Sequence, residues 1–164
     1  MVFKIVLALV AVAALGGLYQ GLTAKPHLDP ETAKAPATPN WAIAAPEGRD
    51  TAAAASLETP VWAADPAEAL AALDKVALAE PRTEIVEPTA GAFGADDPLA
   101  KTYLQRSATV RYPDYVSVRA VAAPGGASLV LFSRSVYGIS DRGVNRARLK
   151  RWIAAVDETL ARAE

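Results

Sequence analysis

The spacing of hydrophobic residues divides this chain into an apolar start, a Pro/Ala-rich stretch, a helix, a run of alternating strands and a second helix. From Val2 to Ala24 the only strongly polar side chains are Lys4, Gln20 and Thr23. About 20 apolar residues suffice to cross roughly 30 Å of hydrocarbon, so residues 1–24 are expected to be a transmembrane anchor. A cleaved signal peptide is the rival, because Lys4 before an apolar core suits one too; Leu22 stands where cleavage wants a small residue. Both readings carry the remainder out of the cytoplasm. A cytoplasmic domain held at the inner face stays open, since the Lys/Arg bias is weak.

Six of the twelve prolines fall between Pro26 and Pro60, mixed with alanine and threonine. Lys25 to Asn40 reads as a Pro/Ala-rich tether (25–40). Trp41, Ile43, Leu57, Val61 and Trp62 need a surface to cover, so 41–62 is expected as extended chain laid over the α+β domain of residues 41–164.

Asp65 as N-cap, Pro66 at the first helical position and Glu68 in a capping box announce a helix. Leu70, Leu73, Val76 and Ala77 form its apolar stripe, and Pro81 stops it. "RTEIVE" is a short strand. "TYLQRSATVRY" alternates, placing Leu104, Ala108, Val110 and Tyr112 on one face and Tyr103, Gln105, Ser107 and Thr109 on the other. "RYPDYV" reads as a turn, "YVSVRAV" as the return strand, "APGG" as a second turn and "SLVLFSRSV" as a third long strand. The last helix is expected to start near Ser140 or Asp141, with Leu149, Ile153, Val156 and Leu160 buried and Trp152 flanking them. The fold class is therefore α+β: an antiparallel β meander packed against two helices in a two-layer sandwich, preceded by a transmembrane helix and an extended segment.

Composition narrows the chemistry. A formal charge of −1 is unlike a nucleic-acid binder. With no cysteine and one histidine, His27, thiolate catalysis is impossible, and a histidine triad or metal site is not expected. No cofactor and no metal are expected, and enzymatic activity is disfavoured.

"SRSVYGISDRGVNRARLKRW", Ser133 to Trp152, concentrates six basic residues around Asp141 and Asn145. On a helical wheel centred on Leu149 and Leu160, Arg142, Asn145 and Arg146 project toward the buried face, and Arg148, Lys150 and Arg151 point sideways or outward. Cations in a first turn oppose the helix dipole, so a negative partner is needed. Asp141, Asp114 or the Asp96–Asp97 pair would supply it in a structural network; a bound anion would supply it in a site.

"TYLQRSATVRYPDYVSVRAV" and "SLVLFSRSVYGISDRGVNRARLKRWIAAV" resemble the bacterial family called domain of unknown function 1499 (DUF1499). The marks are Ser133-Arg134-Ser135, Gly138, and Asp141, Gly143, Val144, Asn145, Arg146 and Arg148 leading into a helix. "ALDKVALAEPRTEIVE" is similar to the family's first helix and strand, so the resemblance spans roughly residues 40–160. It implies an envelope or membrane-associated protein and no established reaction.

The candidate binding or structural cluster is Arg134, Ser135, Asp141, Asn145, Arg146 and Arg148, with no catalytic set. The expected role is a non-enzymatic accessory or binding domain, anchored in the inner membrane by a single pass and facing the periplasm. Its expected partners are an anionic lipid or an envelope protein. The alternative is a hydrolase-like enzyme acting on an anionic envelope substrate through Arg134, Asp141, Asn145 and Arg146.

Overall fold

The computed structural model describes residues 24–163 and, before them, Ile5, Val6 and Gly16. No helix among the described residues is long and apolar enough to cross a membrane. Most of the expected anchor lies outside them.

Helix α1, Pro66–Ala79, starts as its local chemistry dictates. Glu68 N donates to Asp65 Oδ1 at 2.8 Å and Asp65 N donates to Glu68 Oε2 at 2.9 Å, closing the capping box. Pro81 pushes the preceding residue out of helical geometry, and Glu80 is extended at ψ 137.

Six strands form one mixed sheet: β1 Trp41–Ala45, β2 Leu57–Glu58, β3 Thr83–Ile85, β4 Ala100–Arg106, β5 Pro113–Ala123 and β6 Gly126–Ser135, in the order β2-β1-β6-β5-β4-β3. β3 to β6 are the expected antiparallel meander. β1 adds antiparallel to β6, and β2 pairs parallel to β1, so part of the expected overlay is a strand within the sheet. Helix α2, Val144–Asp157, closes the chain. The fold is α+β.

The strand expected over "TYLQRSATVRY" ends early. β4 stops at Arg106, and residues 107–112 form a loop closed by Ser107 N on Tyr112 O and Tyr112 N on Ser107 Oγ. Arg111 takes a left-handed φ of 58° there. Val110 and Tyr112 are exposed, not on an inner face. Pro113, without an N–H, opens β5 where no donor is required. The Pro124–Gly125 turn forms as expected, with Gly125 at φ +88 and Ala123 opposite Gly126.

Alternation along the strands divides two cores. Tyr103, Val116, Val118, Leu129 and Leu131 face the helices and pack with Leu73, Leu149 and Trp152. Tyr103 and Gln105, expected on the outer face, are thus on the helix side. The opposite face presents Trp41, Ile43 and Phe132, and the stretches 24–40 and 46–56 cover it: Ala33 and Ala53 are buried there, with Leu28 packed alongside. Asp29 and Glu31 reach Arg119 from this segment. The stretch 25–40 is therefore a third layer rather than a tether. An apolar sheet face must be covered, and a Pro-rich extended chain covers it without a helix.

Candidate functional site

The start of α2 is built around Asp141. Gly143, in left-handed geometry, is the N-cap and has no side chain to offer. Asp141 replaces that cap from two residues upstream. Its carboxylate accepts from Gly143 N at 2.9 Å, Asn145 N at 2.7 Å and Asn145 Nδ2 at 2.8 Å. This satisfies free donors of the first turn and places a negative charge where the helix dipole favours it.

Asn145 is fully buried and ties four elements together. Its Nδ2 also donates to Asn40 O at 2.8 Å and Ser135 Oγ at 3.0 Å, and its Oδ1 accepts from Ser133 Oγ at 2.6 Å. Arg148, one turn on, is the hub. Nη2 donates to Asp114 Oδ2 at 2.6 Å, Nε to Gln105 Oε1 at 2.6 Å, and Nη1 to Ser133 Oγ at 2.9 Å and Asn145 Oδ1 at 2.7 Å. Arg148 is 3% exposed and Asp114 8%. Gln105 passes the network on to Glu80 Oε2 at 2.6 Å, and Glu80 pairs with Arg151 on the surface.

The expected roles of Arg146 and Arg148 are therefore exchanged. Arg146 is exposed and, among the described residues, reaches only Ser56 O at 3.3 Å, and Arg142 is exposed before the helix begins. The reason is Trp152, which is fully buried in the helix-side core beside Tyr103. Counting it in the stripe extends the edge of the buried face by about 40° toward Arg148 at 100° per residue. Asp114 was among the expected partners; Gln105 and Asn40 were not.

Arg134 lies apart from this network. Successive strand residues face opposite sides, so Ser133 meets α2 while Arg134 joins Phe132 under the third layer. Its guanidinium bonds the carbonyls of Lys25 and Pro26 (2.8 Å to the latter) and touches Ser117 Oγ at 3.5 Å. It lies over the rings of Tyr115 and Phe132, 5.5 and 5.4 Å from their centroids. No carboxylate pairs with it among the described residues, although it is only 7% exposed. Burial lowers its pKa to about 10, with Tyr115 acting in the opposite direction, so it stays charged at neutral pH. It lines a hollow of about 370 Å³ with Lys25, Thr38, Asn40, Tyr115 and Ser135.

His27 borders a second hollow of about 380 Å³, beside Thr102, Glu87 and Asp97. His27 Nδ1 and Thr102 Oγ1 are buried there without partners among the described residues. Burial lowers the His27 pKa, a bond to the Glu87 backbone opposes this, and the Arg134 charge adds to the lowering. No cluster of metal-ligating side chains occurs among the described residues.

The six candidate residues thus separate. Asp141, Asn145, Arg148 and the Ser135 hydroxyl form a paired bracket under α2, bordered by a hollow of about 570 Å³ beside Arg148 and Asp114; Arg146 stands outside it, and Arg134 serves the other face. Within the bracket, Ser133 donates its proton to Asn145 and faces a guanidinium, so no base is placed to activate it.

The family model for DUF1499, described as a protein of unknown function, matches residues 31–156. That span includes the bracket at the start of α2, Arg134 itself and most of the third layer, while Lys25 and Pro26 precede it. No curated protein and no solved structure matches the chain.

Proposed function

The chain belongs to the DUF1499 family, and for it we propose a membrane-anchored, periplasm-facing binding domain that takes an anionic ligand at the Arg134 pocket without transforming it. One observation carries this reading: a buried guanidinium whose bonds go to carbonyls and a hydroxyl, with no described carboxylate to neutralise it, borders an accessible hollow. Carbonyl oxygens accept its protons but leave its charge, and an uncompensated buried charge is unfavourable. A carboxylate or phosphate entering the hollow would supply the missing charge with the short, strong bonds that arginine makes to such groups. Lys25, Thr38 and Asn40 line the same hollow and add polar groups that could orient it. The apolar run ending at Ala24 supports the anchor, and Ala24 borders this pocket.

The hydrolase-like alternative finds no support in this geometry. Arg134 lies on one sheet face and Asp141 and Asn145 on the other, so they do not converge on one substrate.

Thermal melts of the full chain in non-ionic detergent test the proposal, with inorganic phosphate as the probe against chloride at equal ionic strength. Phosphate should raise the melting temperature of the parent, because a ligand bound only by the folded state stabilises it. Arg134→Gln should lose that response. Equal effects of phosphate and chloride on the parent would overturn the reading.

A further inference from the structure

The two ends of the sheet differ in chemistry. At one end lie the β5–β6 turn, the turn after β1, the start of α1 and the end of α2, carrying the acids Glu47, Glu58, Asp65, Glu68, Asp157 and Glu158 against two cations, Arg49 and Arg162, which pair with Glu31 and Asp157. At the other end lie the loop 107–112, the loop 136–143 and the start of α2. The two loops touch: Tyr112 and Tyr137 stack with centroids 5.0 Å apart, and Val136 N donates to Pro113 O at 3.2 Å.

This second end exposes large apolar groups together. Val110 is 57% exposed, Tyr112 52%, Ile139 78% and Val144 50%, and apart from Leu78 these are the large exposed hydrophobics described within 24–163. Around them stand the exposed cations Lys25, Arg82, Arg106, Arg111 and Arg142. Three of these cations, Arg82, Arg111 and Arg142, occupy left-handed positions. The acids here are Asp141, whose carboxylate is taken up by the backbone of α2, Asp114 and Glu80, which pair with Arg148 and Arg151, and Glu84, which lies 3.9 Å from Arg106. An apolar, aromatic cluster ringed by cations on an otherwise acidic chain is not a solvated surface.

The chain itself indicates what covers it. Arg134 holds the carbonyls of Lys25 and Pro26 at this end, and Asn40 Nδ2 donates to Gly138 O at 2.9 Å beside them. The apolar run that ends at Ala24 therefore joins the domain next to the exposed loops.

We infer that the loop end, with Val110, Tyr112 and Ile139 as apolar contacts and Arg111, Arg142 and Lys25 as cations, rests on an anionic bilayer surface. The inference builds on the anchored reading and adds the domain's orientation and lipid class. Tyrosines suit the headgroup layer, where one end of the ring is wet and the other apolar. The cations meet anionic headgroups, and the acidic end is held away from them. The Arg134 pocket then borders the headgroup layer, so its anion can come from a lipid phosphate or from solution.

The absence of cysteine makes the test direct. Full-length Ile139→Cys and Glu47→Cys, both exposed positions at opposite ends, are labelled with an environment-sensitive fluorophore. They are then reconstituted into phosphatidylcholine vesicles with and without phosphatidylglycerol. With phosphatidylglycerol present, the label at 139 should be several-fold less accessible to iodide than the label at 47. Paired Arg111→Gln and Arg142→Gln changes should reduce that protection. Equal accessibility of the two labels in chain that co-sediments with vesicles overturns the orientation but leaves the anchor. Protection independent of phosphatidylglycerol overturns the lipid class. Protection that grows with the protein-to-lipid ratio assigns the surface to a second copy and also overturns the inference. Chain left in the supernatant removes the anchored reading and this inference with it.

Discussion

Arg148 on α2 and Asp114 on β5 form an ion pair at 2.6 Å with both side chains almost withdrawn from water. The pair joins the last helix to the strand in the middle of the meander. The guanidinium's other donors go to Gln105, Ser133 and Asn145. Removing one side of such a pair leaves a buried charge unpaired, at a cost of about 3–5 kcal/mol. Arg148→Ala should therefore approach unfolding. Arg146→Ala, two residues away and exposed, should change stability by about 0.5 kcal/mol or less. Matched urea melts decide it, and similar losses for the two variants would show that the bracket does not hold the helix.

A close backbone approach yields a second prediction. A β-carbon on Gly126 would stand 1.9 Å from the carbonyl oxygen of Trp62. Trp62 and Ala127 exchange backbone bonds of 2.8 and 3.0 Å there, so the neighbour cannot move without losing them. Gly126→Ala should cost about 2–4 kcal/mol, from overpacking plus those bonds. Gly48→Ala, left-handed but in open space, should cost about 1 kcal/mol from backbone strain alone. Thermal melts that rank the two in the reverse order would contradict the steric reading.

How much of this could be read in the sequence depended on how local the cause was. Asp65, Pro66 and Glu68 specify the start of α1 among themselves, and that helix forms as expected. The Pro124–Gly125 turn is equally self-contained. The loop 107–112 was hidden because "SATVRY" alternates like a strand, while the bonds that close it depend on the Ser107 hydroxyl and on a left-handed Arg111. The third layer was hidden for another reason. Its Pro/Ala composition suits a tether, and the demand for it comes from Ile43 and Phe132, distant in sequence. In the candidate cluster, the motif residues were legible but their facing was not. That facing turns on Trp152 lying within the buried stripe, which depends on Tyr103 across the sheet.

The third prediction follows from His27. Burial lowers its pKa in the folded protein, and Arg134 adds to the effect. In the unfolded chain the imidazole takes up a proton near pH 6.5. Between that value and the lowered folded value the unfolded state binds more protons, so stability falls as pH drops through this window. Above about pH 6.5 the contribution is fully present. His27→Gln should weaken the loss of stability between about pH 7.5 and about pH 5.5, with the carboxylates common to both proteins cancelling in the comparison. Parallel slopes for parent and variant would show that this histidine is not linked to folding.

The last prediction concerns where the folded unit begins. On composition alone a fragment starting at Trp41 should fold, because both helices and the meander carry their own core. The packing of residues 24–40 changes that expectation. Leu28 and Ala33 lie on the sheet beside Ile43 and Phe132, and Asp29 and Glu31 pair with Arg119. Without this segment, Phe132 and Ile43 lose part of their cover. Arg134 would lose the Lys25 and Pro26 carbonyls and keep its contacts to Ser117 and two rings. Covering a side chain the size of leucine is worth about 1.5–3 kcal/mol, and the lost bonds to a charged group add to this. A fragment beginning at Trp41 should thus be less stable than one beginning at Ala24 by on the order of 3 kcal/mol or more. The loss should appear as a lower urea midpoint and as dye binding to the uncovered face. The Arg148–Asp114 pair is present in both fragments, so the difference reports on the third layer together with the one bracket bond from Asn145 Nδ2 to the Asn40 carbonyl. Coincident melts for the two fragments would mean that residues 24–40 are not part of the folded unit.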